Sequence, residues 1–199
     1  THPPPPPIPL RLVGSEMCIR DSLSALLRQR ITSQLEDDGY AADLVQAVAG
    51  DTVSTTRLLW DPLDVRVRIQ MLRGLRDQGR LTAVQAVVQR ASRLAEKGDL
   101  PSDVLSSTDV VDPALFESVS EQGLFDATQR LNPLAASGAY QQLCDVLVES
   151  TPALEAFFDG DQSVMVMADD PALRTNRLNL LGVLRNQAAV FAQFELIQS

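Results

Sequence analysis

Apolar residues recur along this chain at spacings of three and four, which places them on one side of an α-helix, and they almost never alternate as in a strand. "LSALLRQRITSQLEDDGY" puts Leu23, Leu26, Leu27, Ile31 and Leu35 on one face, with Gly39 as the stop. "AADLVQAVAGD" gives a short second helix ending at Gly50. In "DPLDVRVRIQMLRGLRDQGR" Pro62 stands at a helix start, and "LTAVQAVVQRASRLAEKGDLP" is predicted to run from a Thr82 cap to Gly98, with Pro101 blocking continuation. These two neighbours are expected to pack as a helical hairpin. Residues 101–112 are polar and turn-rich, suited to a long loop or linker.

Beyond the loop, "VDPALFESVSEQGLFDATQRLNPLAASG" opens with an Asp112 cap and Pro113 in the first turn, and directs Leu115, Phe116, Val119, Leu124, Phe125 and Leu131 to a core. Shorter helices are expected in "AYQQLCDVLVES" and "TPALEAFFDG". After a further loop, "DDPALRTNRLNLLGVLRNQAAVFAQF" starts on an aspartate and a proline and forms a long final helix. No repeat of fixed period is present. The fold class is all-α, a helical bundle, with residues 23–100 leading into a second unit over 101–199.

The N-terminal residues break this pattern. "THPPPPPIPL" cannot form the interior of a helix or strand, because proline lacks a backbone donor and fixes φ. "LVGSEMCIRDS", Leu12 to Ser22, has no period, and suitable codons for it spell an oligonucleotide resembling the transposase mosaic-end adapter of sequencing libraries. Residues 1–22 are therefore expected to be an artefactual disordered tail, with the natural sequence beginning near Leu23 and its upstream portion missing.

The chain has 199 residues and a net charge of −9, and setting residues 1–22 aside leaves that charge unchanged. It does remove the single histidine, His2, and one of the two cysteines, leaving Cys144. Without histidine the remainder cannot host a Ser-His-Asp or Cys-His nucleophile, a histidine base or a histidine-bound zinc. A lone cysteine makes no internal disulfide, and no apolar run approaches a membrane span, so the cytoplasm is the expected compartment.

The charged positions supply the candidate chemistry. On the final helix Leu173, Leu180, Leu184 and Phe191 define the core line, Arg177 lies about 40° from it, and Arg174 and Arg185 lie about 100–120° away. Arg177 reads as a structural arginine held by a carboxylate or by capping carbonyls. Arg174 and Arg185 read as an exposed pair able to meet a phosphate or a base, or else as an ordinary solvated face. Arg66, Arg73 and Arg80 recur every seven residues with Arg76 beside them, a basic stripe that Asp77 interrupts; it marks RNA contact or a solvated face. "DGDQSVMVMADD" resembles a calcium loop, but Val164 replaces the required glycine and Met167 offers no side-chain oxygen, so no metal is expected. Cys144 reads as a small core residue and Trp60 as a packing anchor.

One string carries more than periodicity. "FFDGDQSVMVMADDPALRTNRLNLLGVLR", Phe157 to Arg185, resembles the C-terminal hallmark of the β subunit of the bacterial two-subunit glycine–tRNA ligase: a double Phe and Asp, Val-Met-Val-Met, an acidic turn, Leu-Arg, then Asn-Arg-Leu. "DPLDVRVRI", "RLAEKGDL" and "VDPALFE" resemble the same subunit in the same order, while "GDQS" departs from some members as a loop insertion. "DPALR", Asp170 to Arg174, is similar to the Asp-Ala-Leu-Arg signature of helical anticodon-binding domains. The resemblance implies an anticodon-binding helical domain, no catalytic residue in this chain, and tRNA(Gly) as a partner. With tRNA as the partner, Arg174, Arg185, Arg66 and Arg73, chosen on the helical wheel, become the candidate RNA contacts, and the resemblance implies an α subunit completing an α2β2 tetramer that uses ATP, magnesium and glycine. The alternative is a non-catalytic helical module for protein–protein contact.

Overall fold

A computed structural model describes residues 12–198, and their side chains from Ser22 onward with the exception of Trp60, so the expectation for that indole falls outside it. The described residues form eight α-helices and no strand. In order they are α1 (Leu12–Asp37), α2 (Ala42–Ala49), α3 (Thr55–Trp60), α4 (Pro62–Asp77), α5 (Leu81–Ala95), α6 (Val119–Ser137), α7 (Tyr140–Phe158) and α8 (Pro171–Phe191). Single 3-10 turns stand at Pro113–Leu115 and Phe194–Leu196.

The organising element is α8. Asp170 caps it, its carboxylate accepting from the backbone N–H groups of Ala172 at 2.7 Å and Leu173 at 3.4 Å, and Pro171 occupies the first turn, where no donor is needed. The wheel predicts one buried line, yet Asn176, Gly182, Val183, Asn186 and Gln187 are buried along with Leu180, Leu184 and Phe191. The reason is that α8 is wrapped: α5 packs on one side, α6 on another, and the loop 100–112 lies over a third. α6 and α7 pack antiparallel across Gly138, whose positive φ of 68° closes the link between them.

The loop has no repeating backbone bonds of its own, and amide side chains of α8 supply them. Asn176 exchanges two bonds with the backbone of Asp112, at 2.7 and 3.0 Å, and Asn179 donates to Val110 O at 2.8 Å. Asn186 donates to the carbonyls of Pro101 and Val104, and Gln187 to those of Leu105 and Thr128. The close approach also needs Gly182. A Cβ there would meet Leu100 Cδ2 at 2.8 Å and its Cβ at 3.3 Å. Gly182→Ala is expected to destabilise by about 1–3 kcal/mol through overpacking, although alanine is the better helix former; urea denaturation checks it, and a stabilised variant would refute it.

Several sequence expectations differ from the structure in instructive ways. α4 and α5 do not form the expected hairpin: across the Gly79 turn they touch sparsely, α4 packing on α2 and α5 on α8. α5 starts at Leu81 with no side-chain cap, so Thr82 is not its N-cap. Asp112 and Pro113 open only a 3-10 turn; α6 begins at Val119 behind a capping box of Ser118 and Glu121, and Val119 is exposed instead of core-facing. The two short helices around Pro152 are one helix, because the buried line Leu143, Leu147, Leu154 and Phe157 continues through the proline. Helical backbone also begins at Leu12, within the stretch expected to lie outside the fold; that stretch lacks proline, and extending a nucleated helix costs little. Leu23, Leu26 and Leu27 are exposed, since α1 packs chiefly on α2 and α3 through its later turns.

Candidate nucleic-acid interface

The basic stripe of α4 is turned onto the α1–α2 junction. Arg66 pairs with Asp38, the Arg73 guanidinium lies 4.7 Å from the centroid of the Tyr40 ring, and Arg76 grips Asp43 with both terminal nitrogens. The hydrogen bond with Asp43 raises the Arg76 pKa, while that with Arg76 holds the Asp43 carboxyl below its usual range. Arg66 thus spends its charge on this seam and Arg73 stacks its guanidinium there on a ring, while Arg73 and Arg80 are the exposed members of the stripe with no carboxylate partner among the described residues. A helical wheel shows that four arginines share a face, but not that Asp38, Tyr40 and Asp43 face them.

On α8 the three arginines diverge. Arg177 is buried, donating from Nε to Glu121 Oε1 at 2.8 Å, from Nη2 to Glu117 Oε2 at 2.8 Å and from Nη1 to the Met165 carbonyl at 3.1 Å. Its bond to Glu121 raises its pKa. Arg174 is half-buried and returns to the Ala168 carbonyl at 3.2 Å, closing the turn ahead of its own helix; "DPALR" is here a helix-starting device. Arg185 is also half-buried, with Nε on Asn186 Oδ1 at 3.0 Å and Nη2 on the Leu100 carbonyl at 3.2 Å. The reading of Arg174 and Arg185 as an exposed pair is therefore corrected. They share a side of the wheel, but eleven residues set them about 16 Å apart along the axis, and packing from neighbouring elements covers each.

Two buried arginines escaped the sequence reading. Arg68 is 1% exposed and donates from Nε to Asp64 at 2.9 Å, from Nη1 to the Phe191 carbonyl at 3.0 Å and from Nη2 to the Val48 carbonyl at 3.4 Å. Arg28 holds the carbonyls of Ala49, Gly50 and Val53 and the Thr55 hydroxyl. For Arg68 a signal was present, because its spacing to Val65, Leu72 and Leu75 places it on the apolar face. Cys144 is 2% exposed and burial pushes its thiol up to about 12, so it is not a thiolate nucleophile at neutral pH.

Arg185 stands in a cleft of about 370 Å³ between α5, α8 and residues 192–196. Val88, Ala189, Ala192, Phe194 and Leu196 give it apolar walls; Ser92, Ser102, Glu96 and Glu195 add polar groups. The Ser92 hydroxyl is buried and has no hydrogen-bond partner among the described residues. Next to Ser92 and Glu96 in sequence, Arg93 and Lys97 are exposed, and neither meets a carboxylate within salt-bridge distance among the described residues. These two cations are a signal the sequence reading passed over.

No family model matches the chain. Curated proteins do: 183 residues, 89% of the chain, are 44% identical to the glycine–tRNA ligase β subunit of Picosynechococcus sp.. Over 175 residues, 85% of the chain, identity to the same subunit of Acaryochloris marina is 47%, and to that of Vibrio vulnificus 33%. The chain is homologous to the C-terminal part of glycine–tRNA ligase β subunits. It spans about a quarter of the length of these relatives: 26% of the first and 25% of the second. An alignment over 89% of the chain necessarily includes Ser92 and the loop 100–112.

Proposed function

We propose that this chain is the tRNA-reading end of a glycine–tRNA ligase β subunit, contributing recognition of the tRNA(Gly) anticodon to ATP-dependent attachment of glycine in the cytoplasm. The observation that carries this reading is the alignment with the C-terminal part of β subunits. The relatives' name marks one subunit of a larger enzyme, and we assign ATP, magnesium and glycine to an α subunit in an α2β2 assembly. In this reading the chemistry belongs to the α subunit, and no step of the reaction is assigned to this chain.

Glycine codons begin with two guanines, so the anticodons end in two cytosines, each presenting an amino donor and carbonyl and ring-nitrogen acceptors. Carboxylates and guanidinium groups answer that pattern, and an acidic domain with few free cations suits base reading better than indiscriminate phosphate binding. Of the four arginines singled out from the sequence, Arg185 is the one whose position in a cleft supports such a role. Arg66 and Arg73 are occupied at the α1–α2 seam and Arg174 at its own helix start.

The test is affinity for tRNA(Gly) transcripts in which each anticodon cytosine is replaced in turn, measured across a salt series. Each replacement is expected to weaken binding about tenfold or more, in line with roughly 1–3 kcal/mol per good base contact. Equal affinity for all transcripts would overturn the recognition role. A protein-docking role is favoured by one observation, the exposed Leu23, Leu26 and Leu27 of α1, and is compatible with the first.

A further inference from the structure

We propose that the cleft between α5, α8 and residues 192–196 receives a single unstacked base of the bound tRNA, with Arg185 and Ser92 meeting its polar edge and Arg93 and Lys97 holding adjoining phosphates. This rests on the tRNA-recognition reading above and assigns a place to it. The cleft's volume of about 370 Å³ falls at the lower end of the roughly 300–1,000 Å³ range of small-ligand pockets, right for one planar ring and too small for a folded segment.

The lining decides what kind of group enters. Ser92 sits on the buried face of α5, between Val88 and Ala95; Gln85 on the same face donates to the Ile197 carbonyl, whereas the Ser92 hydroxyl lacks a partner among the described residues. A buried hydroxyl left unpaired is unfavourable, and a ligand atom in the cleft would satisfy it. The Arg185 guanidinium is fixed in its plane by the bonds to Asn186 Oδ1 and the Leu100 carbonyl, and its Nη1 has no such partner among the described residues. Glu96 and Glu195 line the same cleft. Their charges repel a phosphate or a free anion inside it, whereas a base edge offers donors to a carboxylate and acceptors to a guanidinium and a hydroxyl together. Phosphates belong outside, where the exposed Arg93 in the last turn of α5 and the exposed Lys97 just past its end follow Ser92 and Glu96 in the chain. Val88, Ala192 and Phe194, all buried, supply an apolar lining against the faces of the ring.

Ala189→Phe fills the cleft without altering a charge, and Arg185→Gln removes the guanidinium from a half-buried position. Both variants and the parent chain would be titrated with tRNA(Gly) carrying a fluorescent cytosine analogue at each anticodon position. The parent is expected to change the fluorescence at one position, and each variant to lose that change and bind at least tenfold more weakly. Arg93→Gln with Lys97→Gln is expected to flatten the salt dependence and retain the fluorescence change. If the parent discriminates among anticodons but a folded Ala189→Phe, or Arg185→Gln should the former not fold, binds within twofold of it, the cleft assignment is overturned and the recognition reading stands. If the parent shows no preference for tRNA(Gly), both fall.

Discussion

Arg177→Ala is expected to lower the unfolding free energy by about 3–5 kcal/mol, the cost of removing one partner from a buried ion pair. The physical origin is the carboxylate left behind. Glu121 is 1% exposed, and Arg177 gives Oε1 its charged partner at 2.8 Å. The other oxygen, Oε2, accepts from the backbone N–H groups of Glu117 and Ser118 at 2.7 and 2.9 Å, so Glu121 cannot turn to solvent without uncapping α6. The same guanidinium ties down Glu117 and the Met165 carbonyl, joining the start of α6 to the loop before α8. Arg177→Lys should recover little, because an ammonium cannot reproduce three bonds from one planar fork. Urea denaturation of the two variants checks this, and a loss under 1 kcal/mol for Arg177→Ala would show that the pair does not secure the loop.

The second large effect is expected at Arg68. Arg68→Ala removes the donors to the Val48 and Phe191 carbonyls, which lie at the C-terminal ends of α2 and α8, where helix geometry leaves carbonyls unpaired. Each buried acceptor left alone costs roughly 1–3 kcal/mol, and the emptied volume adds to that, so a loss of about 3 kcal/mol or more is expected. Arg68→Met, which keeps the volume, should recover part of the packing while leaving the carbonyls unsatisfied. Thermal unfolding separates the contributions. Equal stability of Arg68→Met and the parent would mean that the hydrogen bonds contribute little and that the residue acts by filling space.

Both predictions turn on residues that a sequence reading handles unevenly. The existence of the helices was legible because burial requires a repeating apolar side, and the starts of α4 and α8 were legible because an aspartate followed by proline both satisfies and terminates the backbone donors. What periodicity cannot report is the identity of the surface a face will meet. Arg68 lies among Val65, Leu72 and Leu75, so its burial could have been inferred, but its acceptors come from α2 and α8, far along the chain. Arg66, Arg73 and Arg76 make the same point in reverse: they line up on the exposed side of an isolated helix, and the α1–α2 junction then arrives with carboxylates for Arg66 and Arg76 and the Tyr40 ring for Arg73. Pro152 shows that a local breaker signal yields when a buried side runs continuously through it. For the candidate cleft, Arg185 was visible as a charged residue off the core line, but Ser92, a serine on an apolar stripe, carries no mark of being unpartnered until α8 and the segment after it are packed over α5.

The segment after α8 reaches back across nearly the whole described chain. Gln193 donates to the Ala47 carbonyl at 2.8 Å, Gln198 to Asp43 at 2.9 Å, and Gln85 to the Ile197 carbonyl. Bundles of helices usually assemble quickly because their contacts join near neighbours; here, loops of more than a hundred residues must close before α2 and α4 acquire their last partners. Refolding slower than the all-helical content suggests, with protection of α2 and α4 amides arriving late, is the kinetic signature this topology should leave.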